Sequence, residues 1–220
     1  RFYGLMADGL YQSNDFNVDG TLRPGLPVST YRSNVQPGDV KYVDLNGDGR
    51  IDANDCAYQL YAALPQIYYG FNIELEWRGF GLNAYFQGMG RSTVTTTLAS
   101  IYQPLYGNER NISEHYMENR WSPYNTSGHY PRLTTQSNAN NFAPSSLWTE
   151  CGDFLKLRTL SLSYKLPARL ASKIRMRECC LYLKGMNLFS ADRIDILDPE
   201  YINTGYPSAR SYQIGFNLIF

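Results

Sequence analysis

The sequence has 220 residues and a formal net charge of zero, with 20 Lys plus Arg against 20 Asp plus Glu. That length suffices for one sizeable folded domain. The even charge excludes the basic footprint of a nucleic-acid binder, so no nucleic-acid partner is expected. Tyr is unusually frequent, 19 against 10 Phe and 3 Trp, while hydrophobic residues reach 43% at a mean hydropathy of −0.40. Such a mixture fits strands that face two different surroundings, as in a membrane β-barrel; a Tyr-rich extracellular β-sandwich fits it equally. No run of about 18 apolar residues occurs, so no transmembrane helix is expected. The chain opens Arg1-Phe2-Tyr3-Gly4, with neither an initiator Met nor a signal peptide. This reads as a processed or partial chain whose export signal lies elsewhere.

Residues 1–12 read as a strand carrying Phe2, Tyr3, Leu5, Leu10 and Tyr11, and residues 13–40 as a loop rich in Asn, Asp, Gly and Pro. Residues 41–56 hold an acidic loop. Its Asp44, Asn46, Asp48, Asp52 and Asp55 fall at positions 1, 3, 5, 9 and 12 of a calcium loop, with Gly49 at position 6, where the turn is sharpest. Arg50, at position 7, offers only its backbone carbonyl. Calcium is a hard cation that takes such oxygens, so a structural calcium held by Asp44, Asn46, Asp48, Arg50, Asp52 and Asp55 is expected. The helices of an EF-hand do not flank it. The alternative is an Asx-rich turn without metal.

From Ile67 to Trp77 the pattern has period two: Tyr69, Phe71, Ile73, Leu75 and Trp77 on one face, Gly70, Asn72, Glu74 and Glu76 on the other. Arg78-Gly79 predicts a tight turn, and the chain returns through Leu82, Ala84 and Phe86 as the second strand of a hairpin. Residues 91–152 read as a long irregular segment with a short helix near Ser113–Asn119. About sixty residues of loop are uncommon in a soluble domain but expected on the outer side of a membrane barrel. Phe154–Leu166 is a further strand, apolar from Leu160 onward, because Lys156 and Arg158 fall on the apolar parity. Pro167 ends it, and residues 168–176 make a short basic connection. Glu178–Phe189 is a strand of weaker alternation, and 190–208 a polar loop.

Residues 211–220 close the chain as Ser-Tyr-Gln-Ile-Gly-Phe-Asn-Leu-Ile-Phe, with Tyr212, Ile214, Phe216, Leu218 and Phe220 on one parity. At about 3.3 Å per residue, a tilted strand of this length suits the apolar band of an outer-membrane barrel. Bacterial barrels commonly end on such a strand with a terminal aromatic, so these five residues form a candidate barrel-assembly signal; a soluble edge strand is the alternative. Cys56, Cys151, Cys179 and Cys180 have neither CxxC nor zinc spacing. Cys56 and Cys151 either pair in an oxidising compartment or, like the others, stay free. His115 and His129 sit in no catalytic motif and read as surface residues. No nucleophile, paired-carboxylate or phosphate-loop arrangement is present, so no enzyme is expected. Tyr102, Tyr106, Tyr116 and Trp121 suit a sugar or a peptide alike.

Several segments also follow one another in a recognisable order. They are PGDVKYVDLNGDG at 37–49, LPQIYYGFN at 64–72, EWRGFGLNAYFQG at 76–88, RWSP at 120–123, YPRL at 130–133, FLKLRTLSLSYKLP at 154–167, NLF at 187–189, LDPE at 197–200 and the terminal SYQIGFNLIF. Together they resemble the C-terminal region of SusC-like (RagA-like) TonB-dependent transporters of Bacteroidota. The resemblance implies an all-β, antiparallel transmembrane segment of a barrel of about 22 strands, with the plug domain outside this chain. It further implies a SusD-like surface lipoprotein partner, energy from TonB, an outer-membrane location and oligosaccharide or peptide cargo. Two other functions compete: a secreted, calcium-stabilised β-sandwich that binds carbohydrate, and a passive outer-membrane barrel.

Overall fold

The computed structural model describes residues 1–96, 111–194, 197–200 and 208–220. Its strands, in chain order, are β1 (Phe2–Leu5), β2 (Ala7–Leu10), β3 (Val28–Ser29), β4 (Val40–Tyr42), β5 (Arg50–Ile51), β6 (Cys56–Gln59), β7 (Ile67–Trp77), β8 (Phe80–Gly90), β9 (Thr93–Thr95), β10 (Thr149–Cys151), β11 (Phe154–Lys165), β12 (Glu178–Ala191) and β13 (Ser211–Ile219). The described α-helices are short: α1 (Glu114–Asn119) and α2 (Ala168–Lys173). Neither is long and apolar enough to cross a membrane. The chain divides into two units, Arg1–Ala63 with Thr93–Glu150, and Leu64–Ser92 with Cys151–Phe220.

The second unit is an antiparallel five-stranded sheet in the order β13-β12-β11-β8-β7. β7 and β8 pair residue for residue from Ile67 opposite Gly90 to Trp77 opposite Phe80. The turn between them is Arg78-Gly79, with φ of 48° and 88°. Positive φ at both central residues is what a type I′ turn requires, and its twist matches that of the strands it joins. β11 pairs with β8 on one side and β12 on the other, and β13 adds to the far edge of β12. The basic connection after β11 contains α2, which begins directly after Pro167, where a fixed φ and a missing N–H cost a helix nothing.

The first unit is built differently. Residues 1–12, expected to be one strand, form β1 and β2, which pair with β6 and β4 respectively. The change of partner at Met6 ends the first strand. β3 and β5 make a two-residue parallel pair, and β9 pairs with β10. The described part of 91–152 is irregular, as expected, yet it is packed. Tyr116, Trp121, Tyr130 and Trp148 are all buried, Tyr116 lies stacked on Tyr130 at 4.9 Å, and Tyr130 faces Trp148 at 6.0 Å. Ser113 caps α1 by accepting the Tyr116 N–H, which fits the expected helix.

A buried polar knot holds this unit. Asp39 is fully buried. Its Oδ1 accepts from Arg132 Nε at 2.7 Å, Asn141 Nδ2 at 3.0 Å and Asn138 Nδ2 at 3.1 Å, and its Oδ2 accepts from the Gln36 N–H at 2.9 Å. Asn141 also accepts the Val40 N–H, and the buried Asn140 donates to the Val40 carbonyl. A buried carboxylate is tolerable only when charge and lone pairs are met in this way. The apolar cluster of Leu5, Val40, Tyr42, Ile51 and Ala143 packs beside it. Gly38, immediately before Asp39, has φ +86°, and a Cβ there would come within 2.4 Å of the Trp121 ring. Gly38→Ala is therefore expected to cost this unit about 2–4 kcal/mol through backbone strain and a forced shift of Trp121. The effect is read as faster proteolysis of segments 36–42 and 138–148; protection equal to the parent protein would contradict it.

Candidate functional site: a two-faced wall and its ionic anchor

The register places one kind of side chain on each face of the five-stranded sheet. One face carries Phe71, Ile73, Leu75 and Trp77 on β7 and Phe80, Leu82, Ala84 and Phe86 on β8. It continues with Leu160, Leu162 and Tyr164 on β11, Leu181 and Leu183 on β12, and Ile214, Phe216 and Leu218 on β13. Cross-strand rings meet on it, Phe71 stacked on Phe86 at 4.7 Å and Phe80 against Tyr164 at 4.4 Å. The face is open: Trp77 is 67% and Ile214 88% exposed. The other face carries Asn72, Glu74, Asn83, Tyr85, Ser161, Ser163, Lys184, Gln213 and Asn217. There Glu74 Oε1 accepts from Asn72 Nδ2 at 2.8 Å and Asn83 Nδ2 at 2.6 Å.

The start of β11 corrects the sequence reading. Lys156 and Arg158 were expected on the apolar parity, with the greasy face beginning only near Leu160. Instead the pairing slips between Leu157 and Thr159 on both sides of β11. A bulge shifts the side-chain parity by one residue, so Leu155 and Leu157 share the apolar face with Leu160. Lys156 joins Thr159 on the polar face, and Arg158, in the bulge, donates to Gln87 of that face at 3.0 Å. Single-sequence periodicity cannot show such a slip; two basic residues out of phase with a clean alternation are its only sign.

The bulge brings together residues far apart in sequence. Lys156, 3% exposed, pairs with Asp198 and with Glu200, the latter at 2.9 Å. Arg158 pairs with Glu200 and contacts Asn187 Oδ1 at 3.4 Å. Asp198 also accepts the backbone N–H of Glu200 at 3.0 Å and of Ser208 at 3.1 Å. Three ion pairs thus pin the Leu-Asp-Pro-Glu segment at 197–200 onto the polar face. Burial pushes the Asp198 carboxyl upward, but the Lys156 ammonium and the two N–H groups outweigh it and hold it at about 2.

The acidic loop is folded as a set of Asx turns. Asp44 accepts from the N–H groups of Gly47 at 2.7 Å and Gly49 at 2.8 Å. Asn46 accepts from Asp48 N–H, and Asp48 from Arg50 N–H. Asp52 accepts from Asn54 N–H and caps a short 3₁₀ turn. Asp55 is fully buried and accepts from Leu45 N–H at 2.9 Å and Asp52 N–H at 2.8 Å. The donor set is all oxygen, and Asp55 Oδ1 already accepts a second N–H, that of Asn46, at 3.5 Å. Among the described residues, no three His, Cys, Asp or Glu side chains come together as a metal cluster. The six expected ligand positions share one loop, and its backbone N–H groups hold the carboxylates.

The remaining candidates fall as follows. Tyr212, Ile214, Phe216 and Leu218 lie on β13 and Phe220 follows it; Tyr212, Phe216 and Phe220 are exposed. Cys56, Cys151, Cys179 and Cys180 are free thiols. Tyr116 and Trp121, candidate contacts for a sugar or peptide, are 1% and 7% exposed, so their rings serve the core instead. Tyr102 and Tyr106 lie outside the described residues. His115 bonds the Tyr130 hydroxyl at 3.0 Å and His129 lies edge-on to the same ring.

An antiparallel sheet with one open greasy face and one wet face has the two-sided patterning that strands of membrane barrels show. Comparisons agree. No protein-family model matches the chain. It is 28% identical over 236 residues to TonB-dependent receptor P3 of Formosa agariphila, a match covering the whole chain. It is 28% identical over 210 residues to TonB-dependent receptor P26 of the same organism, covering 89% of the chain. The chain spans 22% and 21% of the lengths of these relatives. Its fold is similar to that of the RagAB peptide transporter, with a TM-score of 0.66 at 21% identity over 99% of this chain and 22% of that one. The RagAB peptide importer in its open-open state gives a TM-score of 0.64 at 19% identity over the whole chain and 22% of the other. The chain is thus similar in sequence to a stretch of TonB-dependent receptors, and in fold to a stretch of the RagAB transporter.

The anchor carries a pH signature. The folded Asp198 value lies below the ordinary carboxylate value near 4, so its contribution is fully present above about pH 4 and is lost as pH falls toward 2. The extra hydrogen-exchange protection of residues 197–200 in the parent over Asp198→Asn is expected to persist at about pH 5 and vanish only in stronger acid. Lys156→Met leaves the half-buried Asp198 without its cation, and should cost that segment about 1–3 kcal/mol of protection. Unchanged exchange in Lys156→Met would contradict the anchor.

Proposed function

We propose that this chain forms part of the barrel wall of a TonB-dependent importer in the outer membrane of a Gram-negative bacterium, and that the whole barrel has about 22 strands. Its apolar face meets lipid and its polar face lines the lumen. The observation that carries this reading is the unbroken apolar face across five paired strands. A secreted β-sandwich would pack such a face against a second sheet, whereas here Trp77 and Ile214 stand open. The likeness to TonB-dependent receptors favours energised import over a passive pore. The role is transport and not catalysis, since the relatives are receptors and importers rather than enzymes. The partners that go with this reading are the remainder of the barrel with its plug, TonB, and a SusD-like surface lipoprotein at the outer mouth. The cargo is an oligosaccharide or a peptide; similarity to a peptide importer leans toward the latter. In this reading 91–152 is the extracellular loop region, and Tyr212, Ile214, Phe216, Leu218 and Phe220 are read during barrel assembly.

The calcium reading of the acidic loop belongs here too. Asp44, Asn46, Asp48, Asp52 and Asp55 and the Arg50 carbonyl supply the oxygen chemistry, and calcium would draw together groups now held by backbone N–H. Asp48→Ala and chelation are then expected to raise protease cleavage within 41–56 to the same extent and without additivity; cleavage indifferent to chelator would leave a metal-free Asx loop.

The wall is tested by charge. Ile73→Arg, which puts a guanidinium on the lipid face, is expected to cost about 2–4 kcal/mol near the bilayer midplane and to reduce the folded protein recovered from outer membranes. Glu74→Arg, one residue along on the polar face, should leave that yield near the parent level. Equal losses would contradict the assignment of faces. Co-purification in mild detergent of a plug-bearing barrel with a surface lipoprotein, together with loss of uptake on deletion, would bear out the importer.

A further inference from the structure

Within the unit formed by Arg1–Ala63 and Thr93–Glu150 lies a polar cleft of about 470 Å³, lined among others by Arg32, Gln36, Arg132, Thr134 and Gln136. Its wall contains two guanidinium groups, carboxamides and hydroxyls, and no carboxylate. Arg32 is fixed in place by neutral acceptors: Nη1 donates to the Ser137 carbonyl at 2.9 Å, Nε to the Asn34 carbonyl at 3.2 Å and Nη2 to Gln136 Oε1 at 3.4 Å. Among the described residues it has no ion pair, so its charge is uncompensated. Arg132 differs. Its Nε is committed to the buried Asp39 at 2.7 Å, which neutralises one of the two charges and locks the stem. Its terminal amino groups make no hydrogen bond among the described residues.

We propose that this cleft binds an oxyanion group, a carboxylate or a sulfate, carried on the solute; the word solute rests on the import reading above. A guanidinium offers paired N–H groups in a plane that matches two oxygens of such a group, and bonds of this kind are the strong, charge-assisted ones. Both forks are oriented before any ligand arrives, Arg32 by two loop carbonyls and Arg132 by a fully buried carboxylate. Pre-organisation lowers the cost of ordering on binding. The Thr134 hydroxyl and the Gln36 and Gln136 carboxamides are placed to meet remaining oxygens. A neutral sugar or an amine would leave the Arg32 charge unanswered.

The test uses the intact transporter in mild detergent. Its thermal midpoint is followed as chloride is replaced by acetate or by sulfate at constant ionic strength. The comparison is Thr135→Glu, which sets a carboxylate at the cleft while sparing both arginines, with Arg32→Gln as the second variant. The parent is expected to show a saturable rise with at least one anion, and both variants an apparent affinity weaker by about tenfold or more. Stronger response to acetate assigns the site to a carboxylate, and stronger response to sulfate to a sulfate ester. A rise that does not saturate, or one identical in parent and Thr135→Glu, overturns the site. Because binding is read on purified protein, that failure is separate from a failure of the import reading, which is judged on uptake and co-purification.

Discussion

Everything in the five-stranded sheet depends on keeping side-chain parity in phase across paired strands. A slip of one residue in any strand would carry its whole apolar set to the wet face. β7 and β8 hold phase through an unbroken ladder closed by a two-residue turn. β11 holds phase only because it contains a bulge. Without it, Lys156 and Arg158 would project on the same side as Phe71 and Leu162, where the register places apolar side chains. The bulge sends both cations to the polar face, where Asp198 and Glu200 meet them. One backbone irregularity thus serves two ends: it completes the greasy surface and it fixes the connection at 197–200 to the wet one.

The other unit rests on a different principle. It has little regular structure to satisfy its backbone, so side chains do that work. Asp39 gathers Arg132, Asn138, Asn141 and the Gln36 amide around one carboxylate. Asn140 and Asn141 bond the β4 backbone in place of a neighbouring strand, and the Trp148 indole donates to the Asn141 carbonyl at 2.7 Å. A fully satisfied buried network of this kind specifies one arrangement of loops, and the same network orients Arg132 toward its cleft.

The long strands and their faces were legible in the sequence because period-two alternation reports directly on a sheet with unlike sides. Ile67–Trp77, its Arg78-Gly79 turn and the terminal Ser211–Ile219 needed nothing else. The ordered segments then pointed to the family. What could not be read was non-local. The bulge in β11 is set by its neighbours on both sides, and Lys156 meets Asp198 across a separation of 42 residues. The burial of Tyr116 and Trp121 was hidden too, since an aromatic in an irregular segment looks the same whether it packs inward or stands out. The Asn-Ala-Asn-Asn run at 138–141 lies in the segment read only as long and irregular, yet Asn138, Asn140 and Asn141 are among the most buried residues. Only their shared attachment to Asp39 and Val40 explains that.

If this sheet is a membrane wall, alternate residues of β7 face lipid and water. In a full-length protein lacking its native cysteines, single cysteines placed in turn at positions 71 to 76 would be exposed in intact outer membranes to a charged, membrane-impermeant maleimide. Alternation is expected: labelling at 72, 74 and 76, and protection at 71, 73 and 75 that is lifted by denaturation. Uniform labelling along the strand would contradict it, and would mean that the open apolar face of this sheet meets something other than the hydrocarbon of a bilayer.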